Sequence, residues 1–406
     1  MQTTRSSVHS TLAAIDVPLG SAVLARMLPA VEAALRGGSP LLPVPTHPAS
    51  VRDALMTAMR PGTPVEAADD DQVALVVPTS GSTGDPKGVL LGAGALTASA
   101  VAAHARLGGS GSWLLALPAT HIGGLMVLIR SVLAGTSPEV VDLSAGFDPD
   151  SFAAATRRIL SRDAPRRYTA LVPRQLGVLL DAGAAALDAL AAFDAVLVGG
   201  SGSAPELLER AHAANVRVVT SYGMTETCGG CVYDGVALDG VTAATSAGGR
   251  IKITGPVLAV GYRLQPELTA RAFVDGWFVS SDLGRIGRGQ RLAVFGRVDD
   301  VAVTGGVNVP LPAVDRVLAE HPDVTAAAAV ALPDPSWGHR LVAVLVLRDP
   351  AHPPTLESIR AFVTERAPIA HAPKALVLAD SLPTRPGGAV DRGKLATQLL
   401  GAASAR

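Results

Sequence analysis

Short apolar runs and amphipathic stretches alternate along the first 245 residues of the chain. Residues 72–78 (QVALVVP) form a continuous apolar run, which is typical of a strand buried in a parallel sheet. Helical spacing follows at residues 93–107 and 147–161. Further strands are predicted at 112–117, 168–172, 195–198 and 216–220. This repeated order of strand, loop and helix predicts an α/β fold with a largely parallel sheet.

The pattern changes after about residue 245, where glycine and short alternating strands dominate. Candidate strands at 250–254, 276–280 and 290–295 indicate an antiparallel β subdomain. From residue 301 the chain shows a small α+β pattern of helices and apolar strands. We therefore predict a large N-terminal domain at 1–297 and a small C-terminal domain at 298–406.

Composition excludes several classes of protein. The 406 residues carry 34 Lys and Arg against 35 Asp and Glu, a net charge of −1, so the chain lacks the basic field of a general nucleic-acid binder. Hydrophobic residues make up 48% and charged residues 17%, which excludes wholesale disorder. Two to three domains fit this length.

Targeting signals and cysteines point to one compartment. The most suggestive apolar run, 124–133, is interrupted by Arg130 and is too short to span a membrane. Residues 1–15 contain no apolar segment typical of a signal peptide. Two cysteines, Cys228 and Cys231, cannot form a disulfide framework. We predict a cytoplasmic protein without a membrane span.

The sharpest local signal is the segment 78–88 (PTSGSTGDPKG), directly after the predicted buried strand. Its glycines allow backbone N–H groups to approach an anion, its hydroxyls are further donors, and Lys87 is one of only four lysines. The spacing is not that of a Walker A loop. A flexible turn is the alternative, but the combination favours a site for a polyphosphate. The candidate ligands are Thr79, Ser80, Gly81, Ser82, Thr83, Gly84 and Lys87.

A second loop, 221–227 (SYGMTET), follows another predicted strand. Tyr222 is suited to lie against a purine ring, and Thr225 to donate to a phosphate. Glu226 is a candidate ligand for Mg²⁺, which prefers oxygen ligands and substrate phosphates. Taken alone, the loop is equally well read as a strand-to-turn connection with a capping glutamate.

These motifs together resemble the adenylate-forming superfamily of acyl-CoA ligases, nonribosomal adenylation domains and luciferases. Segments 78–88 and 222–227 match its phosphate and nucleotide signatures, and 198–201 (VGGS) is similar to its adenine-side strand end. The resemblance implies ATP, Mg²⁺ held by Glu226, and CoA as co-substrate. It implies nucleotide contacts for Gly199, Gly200, Ser201, Ser221, Tyr222, Gly223, Met224, Thr225, Asp282 and Arg297.

The same resemblance assigns roles in the C-terminal part. Residues 295–309 (FGRVDDVAVTGGVNV) look like the segment that joins the two domains. Asp299 would be the hinge, and Arg297 would contact the nucleotide phosphate or ribose. The loop with Gly305 and Gly306 would lie beside the pantetheine of CoA, although a tight turn explains these glycines equally well.

Within the superfamily, the chain most resembles the o-succinylbenzoate–CoA ligases of menaquinone biosynthesis. Residues 117–130 (LPATHIGGLMVLIR) are similar to that group's acyl-pocket segment. His121, Gly223 and Arg130 are therefore candidate substrate residues, with Arg130 facing the carboxylate that does not react. The alternatives are a structural histidine and a helix arginine whose stem packs on apolar surface. The implied partners are a small-molecule acid, ATP and CoA; a homodimer is left open.

One position departs from the family pattern. The family ends on a Gly-Lys-Val/Ile-Asp-Arg signature, and here Ala389 occupies the lysine slot before Val390-Asp391-Arg392. An engineered change, a natural loss and rescue by Lys394 are the explanations. We favour the engineered change because the other motifs are intact. Loss of a charge that acts in the transition state costs about 10²–10³ in rate, so we predict slow adenylation by this chain.

Two rival functions compete with this interpretation. The first is another aryl- or fatty-acid CoA ligase of the same superfamily. The second is a non-catalytic protein that binds a nucleotide or an acyl-adenylate, for which Ala389 is the support. Comparing acid substrates separates the first rival, and thioester formation from a supplied acyl-adenylate eliminates the second.

Overall fold

The computed structural model describes residues 10–65, 72–80, 86–384 and 390–404. The strands are β1 (Ala13–Val17), β2 (Leu41–Pro45), β3 (Val73–Ser80), β4 (Pro86–Gly92), β5 (Ser112–Leu115), β6 (Glu139–Val140), β7 (Arg167–Leu171), β8 (Ala195–Gly199), β9 (Val218–Met224), β10 (Gly229–Tyr233), β11 (Val236–Ala237), β12 (Thr242–Thr245), β13 (Arg250–Thr254), β14 (Gly261–Tyr262), β15 (Phe273–Val274), β16 (Trp277–Ile286), β17 (Leu292–Arg297), β18 (Val301–Thr304), β19 (Val307–Pro310), β20 (Val324–Asp334), β21 (Gly338–Leu347) and β22 (Ala375–Leu378). The helices are α1 (Ala22–Leu35), α2 (Ala49–Met59), α3 (Ala93–Arg106), α4 (Ile122–Leu133), α5 (Pro149–Leu160), α6 (Pro173–Asp181), α7 (Ala184–Ala191), α8 (Pro205–Ala213), α9 (Pro266–Ala272), α10 (Leu311–Ala319), α11 (Leu356–Arg366) and α12 (Arg392–Ser404).

A seven-stranded sheet in the order β11-β10-β9-β8-β7-β5-β6 contains the predicted parallel strands. β5, β7, β8 and β9 run parallel, with Leu171 opposite Val198 and Gly199 opposite Ser221. The apolar side chains of these strands are buried against α5, α6 and α7 in one core cluster. The parallel arrangement brings the carboxyl ends of β8 and β9 to one edge of the sheet, which is where ligands bind in such folds.

A five-stranded sheet in the order β1-β2-β3-β4-β14 holds the predicted apolar strand as β3. β3 is parallel to β2, as its continuous apolar pattern predicts, but it is antiparallel to β4. The sequence pattern did not indicate β4, because its first residues, Pro86-Lys87-Gly88, favour a turn over a strand. The pairing with β3 overrides that local preference, so β3 and β4 form a β-hairpin.

The chain divides into two compact units. The first comprises residues 1–244, 252–279 and 287–292, and the second comprises 245–251, 280–286 and 293–406. The smaller antiparallel strands form a sheet in the order β12-β13-β16-β15, with β17 paired to β16. The last sheet, β19-β18-β21-β20 with β22 on β21, lies in the second unit and packs against α10 and α11. The structure is thus a mixed α/β fold with a large N-terminal part and a smaller α+β C-terminal part, as predicted.

Within the described ranges, no helix is long and apolar enough to cross a membrane. The apolar run that contains Arg130 is α4, a helix of 12 residues.

Candidate functional site

The β3–β4 hairpin places Lys87 at the end of a rigid ladder. Thr79 lies opposite Lys87 in the register, and the Thr79 hydroxyl donates to the Lys87 carbonyl oxygen at 3.5 Å. Ser80 lies opposite Pro86 at the end of the ladder. The described residues of this segment end at Ser80 and resume at Pro86. The predicted phosphate ligands Gly81, Ser82, Thr83 and Gly84 therefore lie outside the described residues, and their role stays a prediction.

The turn after β9 holds Glu226 in a fixed position. Thr225, Glu226 and Thr227 form one 3₁₀ turn, in which the Met224 backbone N–H donates to the Thr227 hydroxyl at 3.0 Å. That hydroxyl in turn donates to the Gly229 carbonyl oxygen at 2.8 Å. Thr225 and Thr227 are buried, whereas Glu226 is half-buried. The local chain thus points its one acidic side chain away from the core.

Gly223 is required by packing at this turn. A Cβ atom there would lie 2.1 Å from the Gly229 carbonyl oxygen on the neighbouring strand β10. Any side chain would therefore push β10 away from β9, where Met224 pairs with Gly229. The predicted contact of Gly223 with a ligand stays open, but its place in the strand pair explains the residue without one.

Tyr262 contacts both predicted charged residues. Its hydroxyl donates to Glu226 Oε1 at 2.8 Å, and Lys87 Nζ lies 5.7 Å from the centroid of its ring. The Ala259 backbone N–H also donates to the Glu226 carbonyl oxygen at 2.9 Å. The structure thus brings together the lysine of the hairpin and the glutamate of the second loop, which are far apart in sequence.

The pair has the chemistry expected around a metal-bound phosphate chain. Lys87 offers a point charge, and Glu226 offers a hard oxygen ligand whose Oε2 accepts no hydrogen bond from the described residues. Among those residues, no cluster of three or more His, Cys, Asp or Glu could hold a metal ion. A single carboxylate still fits Mg²⁺, because this ion is usually held by one or two carboxylates together with substrate phosphates and water.

The end of β8 lies beside β9. Gly199 pairs with Ser221 on β9, and Gly200 and Ser201 follow at the carboxyl edge of the sheet. Gly200 and Ser201 are exposed, and Tyr222 on β9 is half-buried. Their contacts with adenine remain predictions.

His121 lies at the N-terminal end of α4, on the same sheet edge that follows β5. It is exposed, yet surrounding protein atoms desolvate the ring and lower its pKa from the usual value. The Thr120 hydroxyl lies 2.9 Å from His121 Nδ1. The role of His121 in the predicted acyl pocket stays a prediction.

Arg130 lies elsewhere. It is eight residues beyond the start of α4, about 12 Å along the helix axis. It is 3% exposed, and its guanidinium carbon lies 4.9 Å from the centroid of the Trp113 ring. Trp113 aligns with Tyr168 and Ala195, at the amino ends of the parallel strands. The structure therefore does not bring Arg130 to the carboxyl edge of the seven-stranded sheet, where Glu226 and His121 lie.

The surroundings of Arg130 are a hydroxyl, an indole ring and a histidine whose pKa its charge affects. Its Nη2 donates to the Tyr233 hydroxyl at 3.3 Å, and no carboxylate among the described residues pairs with it. The Trp113 indole donates to His104 Nε2 at 3.2 Å. Burial, and secondly the Arg130 charge, lower the His104 pKa to about 4. Arg130 is thus a buried cation held by rings and a hydroxyl.

The second unit holds the remaining predicted site residues. Asp282 on β16 and Arg297 at the end of β17 lie 3.8 Å apart, measured from Oδ1 to Nη1. Asp299 lies in the 3₁₀ turn Val298–Asp300 between β17 and β18. Gly305 and Gly306 form the β18–β19 turn with φ of 57° and 79°, conformations that favour glycine. Sequence reasoning proposed both Asp282 and Arg297 as site residues but did not predict the ion pair between them.

Ala389 lies outside the described residues, but the segment that follows it is firmly anchored. Arg392 pairs with Asp300 at 3.2 Å and with Asp315 on α10, and its Nε donates to the Ala329 carbonyl oxygen at 3.1 Å. Burial raises the pKa of Asp315 to about 6. Arg392 thus connects the turn that contains Asp299 to the segment that follows Ala389, where the family pattern has a lysine.

Sequence reasoning missed Tyr262. The signal for it is weak, since the residue is one of four tyrosines and sits in a strand of only two residues. Its importance depends on pairing: Tyr262 lies opposite Val89 on β4, which makes Lys87 its diagonal cross-strand neighbour. No local pattern could reveal that register.

Comparison with known proteins agrees with this geometry. Residues 21–261 match the model of the AMP-binding enzyme family, and residues 313–388 match that of the AMP-binding enzyme C-terminal domain. A Mycobacterium tuberculosis (strain ATCC 25618 / H37Rv) protein described as a probable 2-succinylbenzoate–CoA ligase is 47% identical over 395 residues, covering 96% of this chain and 99% of the relative.

Two solved structures of o-succinylbenzoate CoA synthetase from Bacillus subtilis share the fold. The complex with the acyl-adenylate intermediate is 25% identical with a TM-score of 0.76, covering 96% of this chain and 89% of that chain. The complex with ATP and magnesium ion is 24% identical, also with a TM-score of 0.76, and covers 96% and 90% respectively. With both family models matched in order and a relative similar over nearly its whole length, the chain belongs to the AMP-binding enzyme family of adenylate-forming proteins.

Proposed function

We propose that this protein is an ATP-dependent o-succinylbenzoate–CoA ligase. The observation that carries the proposal is the meeting of Lys87 and Glu226 at Tyr262, which supplies a cation and a metal ligand for one polyphosphate. The relative from Mycobacterium tuberculosis, described as a probable ligase for this acid, supports the choice of substrate.

In the first half-reaction, one substrate carboxylate attacks the α-phosphate of ATP, and pyrophosphate leaves. Lys87 and the hairpin residues around it bind the departing phosphates, while Asp282 and Arg297 bind the ribose and the phosphate. Bound at Glu226, Mg²⁺ would offset negative charge on the phosphates. The chain's own contribution is to position the reactants and supply fixed charges.

In the second half-reaction, the CoA thiol attacks the acyl carbon of the acyl-adenylate, its proton is lost, and AMP leaves. We propose Asp299 as the pivot between the domains at 1–297 and 298–406. The Gly305–Gly306 turn would then lie beside the pantetheine arm. Its left-handed glycines support a close approach of the backbone to a thin ligand.

For the substrate, we propose His121 as a residue of the acyl pocket. Its desolvated ring at the sheet edge supports that role. The placement of Arg130 beside Trp113 favours the structural alternative for this arginine. A different cation or a group of neutral donors must then bind the second carboxylate.

The experiment is a mass-spectrometric comparison of CoA products from o-succinylbenzoate, benzoate and octanoate. It uses the chain as given beside Ala389→Lys. We expect o-succinyl-benzoyl-CoA as the main product, and pyrophosphate exchange about 10²–10³ times faster in Ala389→Lys. Preference for benzoate or octanoate would contradict the substrate, and equal exchange rates would contradict the interpretation of Ala389.

A further inference from the structure

Tyr262 is held rigidly against the strand that carries Lys87. The residue lies in β14, opposite Val89 on β4, and its backbone N–H donates to the Thr269 hydroxyl at 2.9 Å. The side chain is 7% exposed, and the Phe273 ring packs edge-on against it with centroids 5.9 Å apart. The phenol therefore cannot swing away from its two charged neighbours.

The two charged neighbours would otherwise attract each other. Lys87 Nζ lies 5.7 Å from the Tyr262 ring centroid, within reach of a cation–π attraction. The Tyr262 hydroxyl donates to Glu226 Oε1 at the other end of the same ring. Each charge thus has its own partner on Tyr262, the ring for Lys87 and the hydroxyl for Glu226, and neither has to pair with the other.

A direct pair would work against nucleotide binding. It would occupy the carboxylate that a cation needs and the ammonium that a phosphate needs. The tyrosine contact leaves Oε2 of Glu226 available and keeps the Lys87 charge on the ring face.

We propose that Tyr262 is a positioning residue that keeps Glu226 and Lys87 apart, so that Glu226 is free for the divalent cation of the nucleotide. This inference rests on the proposed function, because it concerns the same site. It adds a residue that touches neither phosphate nor substrate and acts through two side chains that do.

The test is calorimetric titration of the full chain with ATP over a range of Mg²⁺ concentrations. In Tyr262→Phe the ring remains and the hydroxyl bond to Glu226 is lost. We expect the Mg²⁺ concentration that gives half of the gain in ATP affinity to rise roughly tenfold, because hydrogen bonds to charged groups have about this effect. Binding of ATP without Mg²⁺ should change less than threefold.

Tyr233→Phe is the matched control. It removes a buried tyrosine hydroxyl of the same unit, one that accepts from Arg130 and does not contact Lys87 or Glu226. We expect its Mg²⁺ midpoint to equal that of the unsubstituted chain. A shift as large as that of Tyr262→Phe would overturn the proposal, since loss of any buried hydroxyl would then be sufficient.

A double-mutant cycle isolates the separation of charges. With Lys87→Met in the background, no ammonium is left to pair with Glu226, so Tyr262→Phe should shift the Mg²⁺ midpoint several-fold less. A shift of the same size in both backgrounds would overturn the proposal. If the unsubstituted chain binds no ATP with Mg²⁺, the proposed function itself fails; if it binds normally and Tyr262→Phe matches it, only this inference fails.

Discussion

Lys87 and Arg130 of the first unit each lie over an aromatic ring, and they differ in almost every other respect. Lys87 is half-buried beside Tyr262, at the end of a hairpin and close to the carboxylate of Glu226. Arg130 is buried beside Trp113, at the amino ends of the parallel strands, and no described carboxylate pairs with it. The same pairing of charge and ring is thus found for Lys87 at the end of a hairpin and for Arg130 inside the core.

This difference shows which surroundings leave a charged side chain able to bind a ligand. At the end of the β3–β4 ladder, the half-buried Lys87 keeps its charge accessible to an anion. In the core, the Arg130 guanidinium contacts a ring face and a hydroxyl while its buried Nε has no hydrogen-bond partner among the described residues, and its aliphatic stem fills space among apolar neighbours. The first arrangement predicts a large effect on activity, and the second predicts a large effect on stability.

The largest expected effect comes from Lys87→Ala. Since the residue supplies charge to departing phosphates, we expect pyrophosphate exchange to fall about 10²–10³-fold, with the melting temperature nearly unchanged. The rate is measured in the Ala389→Lys chain, where it is fast enough to follow. Lys252→Ala is the matched control, because Lys252 also lies over a ring, 4.8 Å from the centroid of Trp277. Equal losses in both variants would contradict the comparison.

Arg130→Ala should affect stability. Removing the buried guanidinium and its stem leaves a cavity and an unpaired Tyr233 hydroxyl, so we expect a loss of about 2–4 kcal/mol in the free energy of unfolding. Denaturant titration measures this loss. The KM for o-succinylbenzoate should stay within about twofold.

The exposed helix residue Arg157 gives the control for that variant. Arg157→Ala should change the free energy of unfolding by less than about 0.5 kcal/mol. A stable Arg130→Ala protein that loses only the dicarboxylate substrate would reverse the comparison and restore Arg130 to the acyl pocket.

The smallest effect is a pH dependence carried by His104. Its pKa is lowered to about 4 in the folded protein, against about 6.5 when unfolded, so the unfolded state binds more protons between these values. The stabilisation is therefore complete above pH 6.5 and is lost as the pH falls towards 4. We expect protonation of His104 to lower the free energy of unfolding by roughly 1–2 kcal/mol between pH 6.5 and 4, allowing for partial solvent screening.

His104→Gln tests this assignment, since an amide can still accept from the Trp113 indole but does not titrate. Between pH 6.5 and 4 its free energy of unfolding should fall less steeply than that of the unsubstituted chain. If the free energies of unfolding of both proteins fell equally with pH, burial and the Arg130 charge would not be lowering the His104 pKa.

Local sequence was sufficient for much of the fold. Apolar runs identified β3 and β8, and helical spacing identified α3 and α5 to within two residues at each end. These elements were predictable because burying one or both faces of a helix or strand requires apolar residues at a regular spacing. β4 was missed because its pairing partner, not its own composition, makes it a strand.

The sequence by itself determined the parts of the site: a hydroxyl- and glycine-rich hairpin ending in Lys87, and a strand end followed by Glu226. Only the tertiary structure decided that Tyr262 joins them and that Arg130 lies at the other end of the sheet. The physical reason is that residue type and spacing record chemistry and local geometry. Which distant strands pair, and in what register, follows from the packing of the whole unit.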